Sequence, residues 1–237
     1  MHADITVHPV EELARRFARL AEDTAREAIA THGSFALAIP GGSAAEKLLP
    51  SLIDAGIDWG RGSVDWVDER MVLSDDPAAN IRLARTVWLN HASVAPDRVH
   101  PMPGGATDTA RAVATYARQL RERLGEPTRF DLVLLGVGED GHVASLFPGH
   151  RLLRTWDRDV AILEDAPKPP PSRMTLTLRA LTAARRIVVF AAGAGKAGAI
   201  RDVVENEDSE LPLALATMGG GPVTFLLDPE AASQLSR

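Results

Sequence analysis

Three short strand-like runs, residues 35–40 (FALAIP), 63–67 (SVDWV) and 130–137 (FDLVLLGV), each give way to glycines or charged side chains. The first ends in Gly41, Gly42 and Ser43, the second in Asp68, Glu69 and Arg70, and the third leads to Glu139, Asp140, Gly141 and His142. Between such runs lie helical patterns. After residues 3–8 (ADITVH), the first strand, Leu13, Phe17 and Leu20 recur at helical spacing. Glu11, Glu12, Arg15, Arg16 and Arg19 fill the other positions, so one stripe of this helix is buried against a sheet. Residues 174–178 (MTLTL), 186–192 (RIVVFAA) and 223–228 (VTFLLD) are further strands, and residues 194–205 (AGKAGAIRDVVE) a further helix. This alternation is the pattern of an α/β fold, a mostly parallel sheet flanked by helices. In such sheets ligands bind where the strands end, and three strands here deliver polar residues to that edge.

No linker, repeat or low-complexity segment breaks the alternation, so residues 1–237 are expected to form one domain. Residues 167–171 (PKPPP) are too few for a linker and read as a stiff extended loop entering the strand at Arg173. A net charge of −6 provides no global positive field, so nucleic acid and anionic membranes are not expected partners and any grip on an anion must be local. The absence of cysteine rules out disulfides, thiolate metal sites and a cysteine nucleophile, and fits a reducing cytoplasm. No apolar run approaches the roughly 20 residues of a membrane span, and the first residues lack the features of a secretory signal. A cytoplasmic protein, monomeric rather than assembled, is the expectation.

Each candidate site residue has two readings from the residues alone. Gly41, Gly42 and Ser43 open a helix where backbone N–H groups could face an anion. Ser43 and Glu46 also spell a capping box, in which the serine only satisfies its own helix end. Arg173 alternates with Met174 along its strand and is expected to be presented rather than buried. Lys196 starts a helix, where a cation is unfavourable unless an anion lies nearby. Arg70 could clamp an anion or merely pair with Asp68 or Glu69. Gly136, Gly138 and Gly141 match a dinucleotide fingerprint, but Pro148 and Gly149 cut the following segment, HVASLF, to a helix of under two turns. What remains is a histidine beside two carboxylates. A neutral imidazole can take a proton from water and a carboxylate can orient it, with Glu139 and Asp140 equally near in sequence. No nucleophile-elbow motif and no His-Glu-x-x-His spacing is present.

Taken together, AIPGGSAAEKLL, VDERMVLSDDPAANIRLARTVWL, FDLVLLGVGEDGHVASLFPGH, KPPPSRMTLTLRALTAARRIVVFAAGAGKA and LPLALA resemble the 6-phosphogluconolactonase family across nearly the whole chain. The resemblance implies a modified Rossmann-like sheet shared with glucosamine-6-phosphate deaminases, hydrolysis of 6-phospho-D-glucono-1,5-lactone, and no metal or other cofactor. It places the catalytic histidine on His142, its acidic partner on Asp140 and a substrate-contacting cation on Arg70. Gly42, Ser43, Arg173 and Lys196 match the substrate phosphate region, and Gly41 and Asp68 complete the expected binding set. A deaminase would carry a further carboxylate shortly after the histidine, and residues 143–150 (VASLFPGH) contain none. A non-catalytic sugar-phosphate sensor would need a DNA-reading segment, which the acidic balance and short flanks do not supply.

Overall fold

The computed structural model describes residues 3–236. In chain order it contains β1 (Ala3–Val7), α1 (Val10–His32), β2 (Phe35–Ile39), α2 (Gly42–Leu48), β3 (Gly62–Trp66), β4 (Asp68–Arg70), α3 (Asn80–Ala84) and β5 (Val99–His100). There follow α4 (Thr109–Leu124), β6 (Leu132–Gly136), β7 (Val160–Leu163), β8 (Arg173–Leu176), α5 (Leu178–Thr182), β9 (Ile187–Ala191), α6 (Ala197–Glu205), α7 (Pro212–Ala216) and β10 (Val223–Leu227). Seven strands form one sheet in the order β1-β10-β9-β6-β2-β3-β5, and every pairing in it is parallel. The expected mostly parallel α/β architecture is therefore present. No helix among the described residues is long and apolar enough to cross a membrane.

Strands β2, β9 and β10 are buried along their whole length, consistent with their near-continuous Val, Leu, Ile, Ala and Phe content. Helix α1 buries Leu13, Phe17, Ala21, Ala25 and Ala28 on one stripe and ends at Gly33, which takes a left-handed φ of 87°. That conformation is cheap only for glycine, so the helix stops where its sequence says it should. Helix α4 starts at a capping aspartate, Asp108, which accepts from the Arg111 amide at 3.0 Å.

Two expected features are corrected, and the first is that MTLTL is not part of the parallel sheet. After Trp66 the chain leaves that sheet, and β4 pairs antiparallel with β8, which pairs with β7 in a separate three-stranded sheet. Apolar content cannot tell a strand of one sheet from a strand of another, because both are half of the same core. The segment HVASLF is also no helix. Val143 and Leu146 form an isolated antiparallel bridge, Leu146 N–H donates to Val143 C=O at 2.9 Å, and Ala144 is forced to a left-handed φ of 49°.

The positioning consequence lies at the middle of the large sheet. From β6 the chain proceeds to β9 on one side, whereas its other neighbour β2 leads to β3 on the opposite side. The connections leaving β2 and β6 therefore diverge and open a crevice at their carboxyl ends. The small antiparallel sheet brings a second set of residues to that crevice.

Candidate active site

A cavity of about 170 Å³ occupies this crevice. Its wall includes Gly41, Gly42 and Ser43 from the turn after β2, Asp68 and Arg70 from β4, His142 from the loop after β6, Arg173 from β8 and Lys196 from the loop after β9. Eight of the nine residues singled out in the sequence thus converge, and the ninth, Asp140, stands behind His142. Asn80 and Lys168 also line the wall.

The histidine is oriented by Asp140 and not by Glu139. Its Nδ1 lies 2.5 Å from Asp140 Oδ1, which also accepts the His142 backbone N–H at 3.3 Å. Nε2 makes no hydrogen bond among the described residues. Glu139 instead packs against Gly195, where a β-carbon would come within 2.7 Å of its carboxylate. The loop that sets this geometry is tight. Gly138 N–H donates to His142 C=O at 2.8 Å, and a side chain at Gly138 would put its β-carbon 1.9 Å from His142 Nδ1. Gly141 has a φ of 79°, and its C=O accepts from Leu213 N–H of α7 at 3.1 Å, which explains why the distant LPLALA segment belongs to the site. The Phe147 ring lies 4.7 Å from the imidazole.

This environment sets the protonation of both partners. Burial pulls the His142 imidazole below its ordinary value, and although Asp140 pushes it back up, burial wins and the ring is neutral at pH 7. Burial pushes the Asp140 carboxyl up, but the hydrogen bond and charge of His142 outweigh it and hold the group below the usual carboxylate range. A neutral imidazole backed by an ionised carboxylate, with its second nitrogen unengaged, is the arrangement of a general base.

The opposite wall rests on buried carboxylates. Asp68 accepts from Ser145 Oγ at 2.7 Å and from Asn80 Nδ2 at 3.2 Å. Glu69 is buried and accepts three backbone amides, from Arg70 and Asn80 at 2.7 Å and from Ile81 at 2.8 Å. Burial pushes its carboxyl up to about 7 even against those three donors. Glu69 is therefore a staple that joins β4 to the start of α3, and the ion-pair reading of Arg70 is replaced. Arg70 donates from Nη1 to Ala78 C=O at 2.6 Å, while its buried Nε has no partner among the described residues.

Two further readings change. Gly41, not Ser43, occupies the cap position of α2, no side chain among the described residues caps that helix, and Gly42 has a left-handed φ of 62°. Ser43 is exposed on the cavity wall, so the capping box does not form. Arg173, expected to be presented, is only 5% exposed. It is opposite Arg70 in the β4–β8 register, and like charges facing each other across two strands repel. Asn80 was not anticipated. It lies on the wall with its buried Oδ1 unpartnered among the described residues, and it fills the space a β-carbon at Gly41 would need. Only its place in the SDDPAANI stretch after DER could have pointed to it.

Comparisons with known proteins show the family to which this fold belongs. Residues 9–225 match the family model described as glucosamine-6-phosphate isomerases/6-phosphogluconolactonase. A 6-phosphogluconolactonase of Rattus norvegicus is 37% identical over 234 residues, covering 95% of this chain and 91% of that protein. One from Streptomyces coelicolor is 37% identical over 224 residues, covering 89% of this chain and 86% of its own length. The solved 6-phosphogluconolactonase of Trypanosoma brucei superposes with a TM-score of 0.87 at 28% identity, covering 99% of both chains. The chain belongs to the glucosamine-6-phosphate isomerase/6-phosphogluconolactonase family.

Proposed function

We propose that this chain hydrolyses 6-phospho-D-glucono-1,5-lactone to 6-phospho-D-gluconate, with water activated by His142. The observation that carries this is the neutral His142–Asp140 pair on the wall of a cavity that also presents Arg70, Lys168, Arg173 and Lys196. Four cations around one small cavity suit a phosphorylated substrate, and an anion there would offset the repulsion between the facing Arg70 and Arg173.

In this reading His142 Nε2 removes a proton from water as its oxygen attacks the lactone carbonyl, and Asp140 stabilises the imidazolium that results. Arg70 faces the oxyanion of the tetrahedral intermediate with its uncommitted N–H groups. Collapse breaks the bond to the ring oxygen, which takes the proton from His142, and the base is restored. Gly41, Gly42, Ser43 and Lys196 hold the phosphate, Arg173 adds positive charge from behind, and Asp68 binds the sugar. Every residue named comes from one chain, so the reading needs no second subunit, and a monomer acting in the cytoplasm is part of it.

Proton release from freshly prepared 6-phosphogluconolactone, corrected for uncatalysed opening, tests the reading against unphosphorylated gluconolactone as the comparison. A clear rate on the phosphorylated lactone and a much lower one on the other is the expected result. Equal rates would sink the phosphate assignment. Binding without turnover, or release of ammonia from glucosamine 6-phosphate, would replace lactone hydrolysis altogether.

A further inference from the structure

The segment between β7 and β8 carries Lys168, one of the four cavity cations, to which the steps above assign no atom of the substrate. Within residues 167–171 every residue but Lys168 is proline, so φ is fixed on both sides of it and the neighbours have no N–H to exchange for another partner. The loop is closed at its base, where Ala166 N–H donates to Pro171 C=O at 3.0 Å, and His150 Nε2 lies 3.1 Å from Asp165 Oδ1 just before it. Arg173 then pins it from beneath. Its Nε donates to Pro170 C=O at 3.0 Å and its Nη2 to Lys168 C=O at 2.8 Å, with Pro169 C=O at 3.5 Å. The guanidinium carbon also lies 5.7 Å from the centre of the Phe147 ring, the same ring that packs on His142. Most of this arginine's directed hydrogen bonding is therefore committed to the loop rather than open to a ligand.

Lys168 itself is exposed, lines the cavity, and forms no side-chain hydrogen bond or ion pair among the described residues. We propose that Lys168 is a further catalytic residue, a second cation for the oxyanion that develops on the reacting carbonyl, and that Arg173 is the positioning residue that fixes the proline-bound loop carrying it. The Phe147 ring packs against both the Arg173 guanidinium and His142, so the loop that Arg173 pins stands beside the dyad, and the Lys168 charge lowers His142 and Asp140 alike, in keeping with that placement. A rigid loop suits this task, because an oxyanion donor helps only if it is in place before charge develops. The inference rests on the lactonase reading.

Substitutions K168M, R173K and the pair together separate the possibilities. K168M changes an exposed side chain and should leave folding intact. It is expected to lower kcat on the order of 10²-fold on both phosphorylated and unphosphorylated lactone, with KM little changed. The acid limb of its pH–rate profile should also move upward, since removing a cation raises the His142 pKa, and an NMR titration of His142 should show the same shift. R173K keeps the charge and loses the fork. It should lower kcat in the same direction, and the double variant should be no slower than K168M alone.

An unchanged kcat in K168M would overturn the proposal. So would a loss confined to KM for the phosphorylated lactone, or additive effects in the double variant, since either means that the two residues grip phosphate independently. A wild-type protein without lactone turnover would instead remove the reading on which the inference stands.

Discussion

His142 receives opposite pushes from its surroundings, with burial favouring the neutral ring and Asp140 the charged one, and burial is the larger. In the proposed mechanism the base is therefore ready below the usual histidine range, so kcat/KM should stay flat through pH 7 and fall only on the acid side of the ordinary histidine range. In D140N the carboxylate that raises the ring's pKa is gone. The acid limb should then move still lower while the maximal rate drops, because nothing holds the ring in its productive orientation. Replacing His142 by alanine should lower kcat by about 10²–10⁴-fold with a small change in KM, measured above spontaneous lactone opening. Gly138→Ala should match that loss, because its β-carbon would overlap the imidazole, and circular dichroism should show that the fold survives. Retained activity in G138A would mean that the dyad geometry described here is not the working one.

Elements meet at the site through single polar residues, and these are the points at which it can be loosened without touching the chemistry. Glu69 joins β4 to α3 by three amide hydrogen bonds inside the protein. Glutamine at this position keeps the shape but replaces one acceptor oxygen by a donor that would face an amide. E69Q should cost about 1–3 kcal/mol in urea unfolding, and it should raise KM through movement of Arg70 and Asn80. Unchanged stability would show that the buried carboxylate is not the staple it resembles. The α7 contact to Gly141 explains in the same way why a helix after β9 matters to a loop after β6.

Across the whole molecule stability and activity lie in different places. The parallel sheet and its helices hold the apolar core, while the cavity sits where the connections leave β2 and β6 and the small sheet closes over them. Phe17 of α1 is fully buried, so Phe17→Ala should cost about 3–5 kcal/mol in chemical unfolding. The folded fraction should keep its KM. Val7 on edge strand β1 is 42% exposed, and V7K should shift stability by no more than about 0.5 kcal/mol. If both variants unfolded alike, β1 would be covered by something other than solvent.

Much of this was open to reading without coordinates. Alternating strand and helix patterns determined the α/β class. Polar residues after three strands located the ligand edge, because side-chain periodicity and chain breaks are local properties that sequence spells directly. The resemblance of whole segments to known lactonases placed His142, Asp140 and Arg70 at one site. Other features depend on residues far apart in the chain, and only the tertiary structure decided them. Asp140 and Glu139 are adjacent in sequence, and the choice between them follows from packing of Glu139 against Gly195, far along the chain. Arg173 is buried because β8 pairs with β4 in a second sheet, and Ser43 is free for a ligand because Gly41 takes the cap. The loop carrying Lys168 is held at the cavity because three of its carbonyls meet one arginine fork. Local propensity fixes which elements form, but the direction of a side chain within a site is set by long-range contacts that no window of sequence contains.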